Sequence, residues 1–146
     1  MSVEADGEVT VGLRYELVLT ADLTRTQIVQ YAGAAGDYAP MHTDEIFAVQ
    51  VAGLESVIAH GMLTMGMTGR LLTDVFGPAS LLTFGGRFKA PVRPGDALTA
   101  SAEVVGVRDA GADRVAELDL QTTNQDAVLV FQGYATAAVG CAAGRP

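Results

Sequence analysis

The chain has 146 residues, 49% of them hydrophobic and 18% charged, with one cysteine and a formal net charge of -8. That length suits a single domain with a real core, and one cysteine excludes an internal disulfide or a thiolate metal cage. The acidic balance argues against nonspecific binding to nucleic acid or anionic membranes, and no apolar run reaches the roughly 20 residues that cross a bilayer.

Residues 11–19 predict an opening strand, with Leu13, Tyr15, Leu17 and Leu19 on one face and Arg14 and Glu16 on the other. Thr24 predicts a helix start and Gln27 completes a capping box. Ile28, Val29, Tyr31 and Ala32 then supply apolar periodicity before Gly36 ends the helix. Asp37 is thereby delivered at the C-terminal exit. Thr43 and Asp44 are placed to cap a short helix running through Val51, with Asp44 and Glu45 at its positive end.

Residues 61–76 predict a helix buried nearly all round, since Met62, Leu63, Met65, Met67, Leu71, Leu72, Val75 and Phe76 leave Arg70 as its one basic residue. Gly66 and Gly69 each weaken such a helix by about 1 kcal/mol relative to Ala, which points to close approach by neighbouring backbone. The methionines read as gap-filling core residues. Strands follow at 81–90, 97–107, 114–123 and 128–138, punctuated by the turn sequences Pro94-Gly95-Asp96, Asp109-Ala110-Gly111 and Asn124-Gln125-Asp126. The expected class is α+β, a five-stranded antiparallel sheet around one long helix. No internal repeat or linker divides the chain. Residues 1–8 and 141–146 are candidate frayed ends, and Cys141 lies in a small-residue tail with no chemical role assigned. The first residues lack a basic segment followed by an apolar core, so the expected location is the cytoplasm.

Chemistry concentrates at Asp37 and His42. Pro40 locks its own φ and pushes Ala39 toward extended backbone, so the two residues cannot share a helical face and must be presented from a bent loop. A carboxylate beside an imidazole is equipped for general acid/base work, although the pair alone is equally compatible with a structural hydrogen bond. Arg87, Lys89 and Arg93 form a local positive patch, with Arg87 and Lys89 on one face of a strand; ordinary solvated surface charge explains them as well as a phosphate contact does. His60 reads as a structural hydrogen-bonding residue. Only if it converged with His42 and a carboxylate would a metal site arise.

Three blocks of this sequence, in order, resemble the MaoC-like (R)-specific enoyl-thioester hydratases and dehydratases of the hotdog fold. They are Tyr31, Ala32, Gly36, Asp37, Pro40 and His42; then Ile58-Ala59-His60-Gly61-Met62; then Phe88, Pro91, Val92, Pro94, Gly95 and Asp96. The likeness spans about residues 10–138, and within the family the first two blocks look most like actinobacterial 3-hydroxyacyl-thioester dehydratase subunits of the catalytic B type. The resemblance implies one hotdog domain over 1–146, with no cofactor and no metal. It implies a hydro-lyase acting on an acyl-CoA or acyl carrier protein thioester, with Asp37 and His42 as catalytic pair and the backbone N–H of Gly61 binding the developing oxyanion. Tyr38, Phe47 and Met62 are candidates to line the acyl tunnel, and Arg87, Lys89 and Arg93 to contact phosphate. A homodimer, or a heterodimer with a related hotdog subunit, is implied as well. The chain departs from the family where Ala39 replaces an Asn and Ala35 a Ser. Each change removes a polar side chain, which keeps open a noncatalytic or weakly active partner subunit; a hotdog thioesterase is a second alternative, because other hotdog families hydrolyse thioesters.

Overall fold

A computed structural model describes residues 8–111 and 113–141. The order of elements is β1 (Arg14–Thr20), α1 (Arg25–Ala35), a short 3-10 turn (Pro40–His42), a π turn (Phe47–Val51), α2 (Gly61–Phe76), β2 (Leu81–Phe88), β3 (Leu98–Ala110), β4 (Asp113–Asn124) and β5 (Leu129–Cys141). The strands form one antiparallel sheet in the order β1-β3-β4-β5-β2, against whose inner face α2 packs. This is the hotdog arrangement. Among the described residues no helix is long and apolar enough to cross a membrane. Residues 1–7 and 142–146 of the expected frayed ends lie outside the described residues, as does the side chain of Cys141.

Period-two burial shows why the sheet faces one way. On β3, Leu98, Ala100, Ala102 and Val104 are buried, and on β4, Ala116, Leu118, Leu120 and Thr122. Their register partners alternate with charged or polar residues such as Glu103, Asp119 and Gln121. The alanines matter to the helix above them. Small side chains at Ala100, Ala102, Ala116, Ala135 and Ala137 leave room for Leu71, Leu72 and Val75 of α2 to fill the core.

Helix α2 is not buried all round, as its composition suggested. Thr64, Thr68, Leu71, Leu72 and Val75 form the buried face, whereas Met62, Gly66, Arg70 and Asp74 lie on an exposed stripe at four-residue spacing. The sheet covers only one side of the helix, and hydrophobic content does not specify which side. Of the two interior glycines, Gly69 is closely approached, by the ring of Phe84 at 3.2 Å from where a Cβ would stand, while Gly66 faces open space.

The helix also carries a buried polar link to the sheet. Thr68 donates its hydroxyl hydrogen to the carbonyl of Thr64 at 2.9 Å, so at 2.7 Å from Thr122 Oγ1 it acts as acceptor and Thr122 as donor. Both threonines are completely buried. The asymmetry makes a prediction. Thr68→Val strands the Thr122 donor and should destabilise by about 1–3 kcal/mol, whereas Thr122→Val leaves Thr68 bonded to its carbonyl and should cost about 1 kcal/mol or less. Urea denaturation of the two variants measures this, and an equal or larger loss for Thr122→Val would contradict the assigned donor direction.

Candidate active site

Asp37 sits where it does because α1 is capped at both ends. The Thr24 and Gln27 side chains bond reciprocally across the N-terminus, and Gly36 ends the helix in the left-handed conformation at φ 69°. The chain then turns through Asp37, whose Oδ1 accepts the backbone N–H of Ala39 at 3.2 Å. This backbone bond orients the carboxylate without help from the side chain of residue 39. Pro40 opens the 3-10 turn that ends at His42, and the imidazole points into the protein, 8% exposed.

Two main-chain carbonyls settle the histidine tautomers, because a carbonyl only accepts. His42 donates from Nδ1 to Ile58 O at 2.7 Å, leaving Nε2 free on the side of Asp37, whose Oδ2 is 4.0 Å away. His60, 2% exposed, donates from Nε2 to Asp37 O at 3.0 Å. Its Nδ1 is buried without a partner. The two imidazoles stack with centroids 3.8 Å apart and planes inclined by 24°, and Tyr31 lies against His60 with centroids 5.0 Å apart.

A gap of 4.0 Å is too long for a direct hydrogen bond and suits one bridging oxygen. With His42 neutral and Asp37 ionised, both facing atoms are acceptors, so the molecule that fits between them must donate twice. Water does. An oxygen about 2.8 Å from each atom would subtend about 90°, near the natural angle between the two hydrogens of water.

Asp37, His42 and His60 also bring one possible ligand atom each within 4.8 Å of the others, the one such three-residue group among the described residues. The fit to a metal is poor. Stacked rings, here with centroids 3.8 Å apart, keep their in-plane lone pairs in two nearly parallel planes, and a tetrahedral ion at about 2.0–2.1 Å needs them to converge. One nitrogen of each ring donates to a carbonyl, so each ring has a single lone pair left to offer, and the lack of convergence of those two decides the matter.

Helix α2 begins beside this pair. His60 occupies its N-cap position without a side-chain capping bond, and the first-turn N–H groups of Leu63 and Thr64 go to His60 O. A Ser or Asp cap would be worth about 1 kcal/mol there. The Gly61 N–H, at the first helical position, has no protein acceptor among the described residues and lies at the positive end of a sixteen-residue helix. Glycine suits this point for a concrete reason: a Cβ would lie 2.8 Å from the ring of Phe88, which would have to shift to admit it.

Two cavities meet at His42, Gly61 and Phe88. One, of about 450 Å³, is lined by Tyr31, Ala35, Asp37, His60 and Met62 besides the shared residues. The other, of about 350 Å³, runs inward past Ile58, Thr64, Ala90, Val92 and Val130, with Lys89 at its wall. A third, on the outer face of the sheet, includes Arg87, Lys89, Asp119 and Tyr134. The structure therefore brings Asp37, His42, Gly61 and Met62 together, with Lys89 nearby and Arg87 outside. It separates the remaining candidates. Tyr38, in the extended stretch between α1 and the 3-10 turn, is 71% exposed, and neither it nor Phe47 lines any of these three cavities. Arg93 is engaged with Glu55 at 2.9 Å. Thr64, Phe88, Val92 and Val130 were not singled out from sequence as cavity residues. Apolar strand residues carry no local signal that distinguishes a cavity wall from ordinary core.

The loop that carries Ile58 and His60 is tied from several sides. Ala59 donates to Val92 O at 2.8 Å and Ile58 to Met41 O at 3.2 Å. Glu45 pairs with Arg25 at 2.7 Å and also accepts the N–H of Val57. The bond from Arg25 holds the Glu45 carboxyl below its ordinary value of 4.5, and the Val57 N–H adds to the effect. Asp96 is buried and accepts from the Arg93 N–H and from Gln125, which identifies it as a structural acid.

Comparison with known proteins gives the chain its relatives. A model of the MaoC like domain matches residues 7–126. Over 68 residues the chain is 40% identical to 3-hydroxyacyl-thioester dehydratase Y of Mycobacterium tuberculosis, which is 44% of this chain and 23% of that protein. Over 91 residues it is 36% identical to the (R)-specific enoyl-CoA hydratase of Rhodospirillum rubrum, 61% of this chain and 62% of the relative. The matched segments thus span less than two thirds of these relatives. Among solved structures, the (R)-hydratase from A. caviae involved in PHA biosynthesis superposes with a TM-score of 0.76 at 27% identity, covering 90% of this chain and 98% of that one.

The lowered carboxyl of Glu45 makes a pH prediction with a definite sign. A depressed acid contributes stability above its unfolded value, and that contribution disappears as pH falls through the folded value. Glu45→Gln should therefore be less stable than the parent at neutral pH, with the difference closing below about pH 4.5. Thermal melts of both proteins across the acid range would show it, and a constant difference would mean that the Arg25 pair is not its source.

Proposed function

The chain belongs to the MaoC-like domain family, and from that membership we propose a hydro-lyase that adds water to trans-2-enoyl thioesters to give (R)-3-hydroxyacyl thioesters, or runs the reverse dehydration. The printed activities of its relatives support the class of reaction. The observation that carries it in this chain is the pair of facing acceptors, Asp37 Oδ2 and His42 Nε2, 4.0 Å apart beside the unpaired Gly61 N–H.

In the hydration direction, water held by both groups loses one proton to the pair while its oxygen bonds to C3 of the substrate. The C2=C3 π electrons move toward the thioester carbonyl, and the Gly61 N–H stabilises the charge arriving on that oxygen. A proton returned from the pair to C2 completes the addition, and atoms and charge balance without a cofactor. The two groups are treated as one coupled acid/base unit. The acyl chain occupies the inner cavity past Ile58 and Val130. The carrier, coenzyme A or an acyl carrier protein, leaves past Lys89, with Arg87 farther along the same face. Arg93 is better read as the clamp on Glu55 than as a phosphate contact.

One domain spans the chain, with its core over about residues 10–138, and acts in the cytoplasm. Assembly is as a homodimer or with a related subunit, an arrangement supported by β2, an edge strand paired only with β5, and by Leu82 and Phe88 exposed along it.

Asp37→Asn should reduce hydration of crotonyl-CoA by a factor on the order of 10²–10⁴ while leaving the fold intact. Loss of enoyl-thioester absorbance measures turnover. Undiminished activity in Asp37→Asn would remove the pair from the mechanism, free thiol release without hydration would mark a thioesterase, and turnover that appears only on adding a related subunit would mark a noncatalytic partner. Lys89→Glu should raise KM for the CoA thioester on the order of tenfold, as one lost charge-assisted hydrogen bond does, with kcat little changed. An unchanged KM would take Lys89 out of the carrier path.

A further inference from the structure

His60 is a buried, hydrogen-bonding, titratable residue to which the reaction above gives no task. It makes three connections at once. Through Nε2 it holds the main-chain carbonyl of Asp37 at 3.0 Å, through its ring face it stacks on His42 at 3.8 Å, and through its backbone it is the N-cap of α2, directly preceding Gly61. Three groups that must act together come from three separate segments: Asp37 from the exit of α1, His42 from the 3-10 turn, and the Gly61 N–H from the start of α2. His60 is the residue in contact with all three.

We propose that His60 is a positioning residue that sets the distance between the catalytic carboxylate and imidazole and registers both against the oxyanion-binding N–H. The inference rests on the hydro-lyase reading for its chemistry, but the placement itself is a property of the free protein. The Asp37 side chain is half exposed, at 52%, and its one hydrogen bond from the protein among the described residues comes from Ala39 in the same loop. Nothing in that local bond ties the loop to the rest of the site; the bond from His60 to Asp37 O does. Stacking supplies the second coordinate. A flat ring on His42, itself backed by Tyr31, keeps Nε2 from swinging toward the carboxylate and closing the 4.0 Å gap into a direct ion pair that would exclude water.

The design of the N-cap agrees with this role. A residue chosen for helix stability would turn its side chain onto the first-turn N–H groups. His60 turns its ring away to Asp37, giving up a capping bond to the first turn in favour of the tie to the Asp37 carbonyl. Its orphaned Nδ1 is consistent with a ring held by its other contacts rather than by satisfaction of every atom.

Three variants separate the contributions. His60→Phe keeps a flat ring over His42 and removes the donor, His60→Gln keeps a donor for the Asp37 carbonyl without the ring, and His60→Ala removes both. Hydration of crotonyl-CoA should show kcat falling by about 10- to 100-fold in His60→Phe with KM within about twofold, the signature of misplacement rather than lost binding. His60→Gln should recover to within about fivefold of the parent, and His60→Ala should be the slowest. In parallel, the carbonyl ¹³C shift of Asp37 and the backbone order of residues 36–39 are read by NMR in the free protein. Both should change in the Phe and Ala variants and remain parent-like in Gln. Parent-like kcat in Phe and Ala, a Gln variant no better than Ala, or losses in kcat and KM that merely follow thermal stability would overturn the proposal. So would an unaltered Asp37 carbonyl in His60→Phe, even in a protein that hydrates nothing. A parent protein that shows the carbonyl response yet never turns over an enoyl thioester would refute the activity and leave the placement standing. If His60→Phe does not fold, the contrast between Gln and Ala decides.

Discussion

Two peptide carbonyls, those of Ile58 and Asp37, constrain everything else at the site. Each takes a hydrogen of one imidazole, which selects one tautomer of each neutral ring and one ring orientation. The remaining nitrogens follow from that assignment. His42 is left with a lone pair facing the Asp37 carboxylate, and His60 is left with a nitrogen sealed in the interior. A side-chain partner could rotate away, whereas the Ile58 carbonyl, in a loop tied from several sides, cannot move without disturbing other bonds.

The loop holding Ile58 is rigid because separate elements converge on it. Val92 takes its Ala59 N–H, Met41 takes its Ile58 N–H, Glu45 reaches its Val57 N–H, and Arg93 clamps Glu55. Exposed ion pairs contribute little stability on their own. Their value here is geometric, since Arg25 and Glu45 connect the start of α1 to the same segment. Beneath this lies the packing of α2 on a sheet face rich in alanine, which fixes how deeply the helix sits and therefore where its first N–H groups emerge. Phe88, projecting from the end of the edge strand onto Gly61, completes the wall shared by the two cavities.

Much of this was legible from local chemistry. The Thr24–Gln27 capping box and Gly36 bound α1 within a residue because capping is a short-range hydrogen-bonding problem. Turn sequences such as Asn124-Gln125-Asp126 divided the strands correctly for the same reason, with Asn124 Oδ1 accepting the N–H groups of Asp126 and Val128. The composition of α2 implies burial all round, yet Met62, Gly66, Arg70 and Asp74 form an open stripe. Hydrophobic content says that a helix is packed, not which neighbours remain absent from one of its sides.

By itself, then, the sequence determined what is set within a few residues or by period: the strand faces, the capped helix that ends before Asp37, the bent loop that Pro40 imposes, and a glycine opening α2. It also carried the family's motifs in order. Only the tertiary structure decided that His60 bonds the Asp37 carbonyl 23 positions away in the chain, that His42 stacks on it, that Phe88 closes on Gly61, and that Tyr38, Phe47 and Arg93 stand apart. These contacts join segments whose relative placement depends on how the sheet packs against one helix. No local pattern of residue types encodes the distance between two loops; the packing beneath them does.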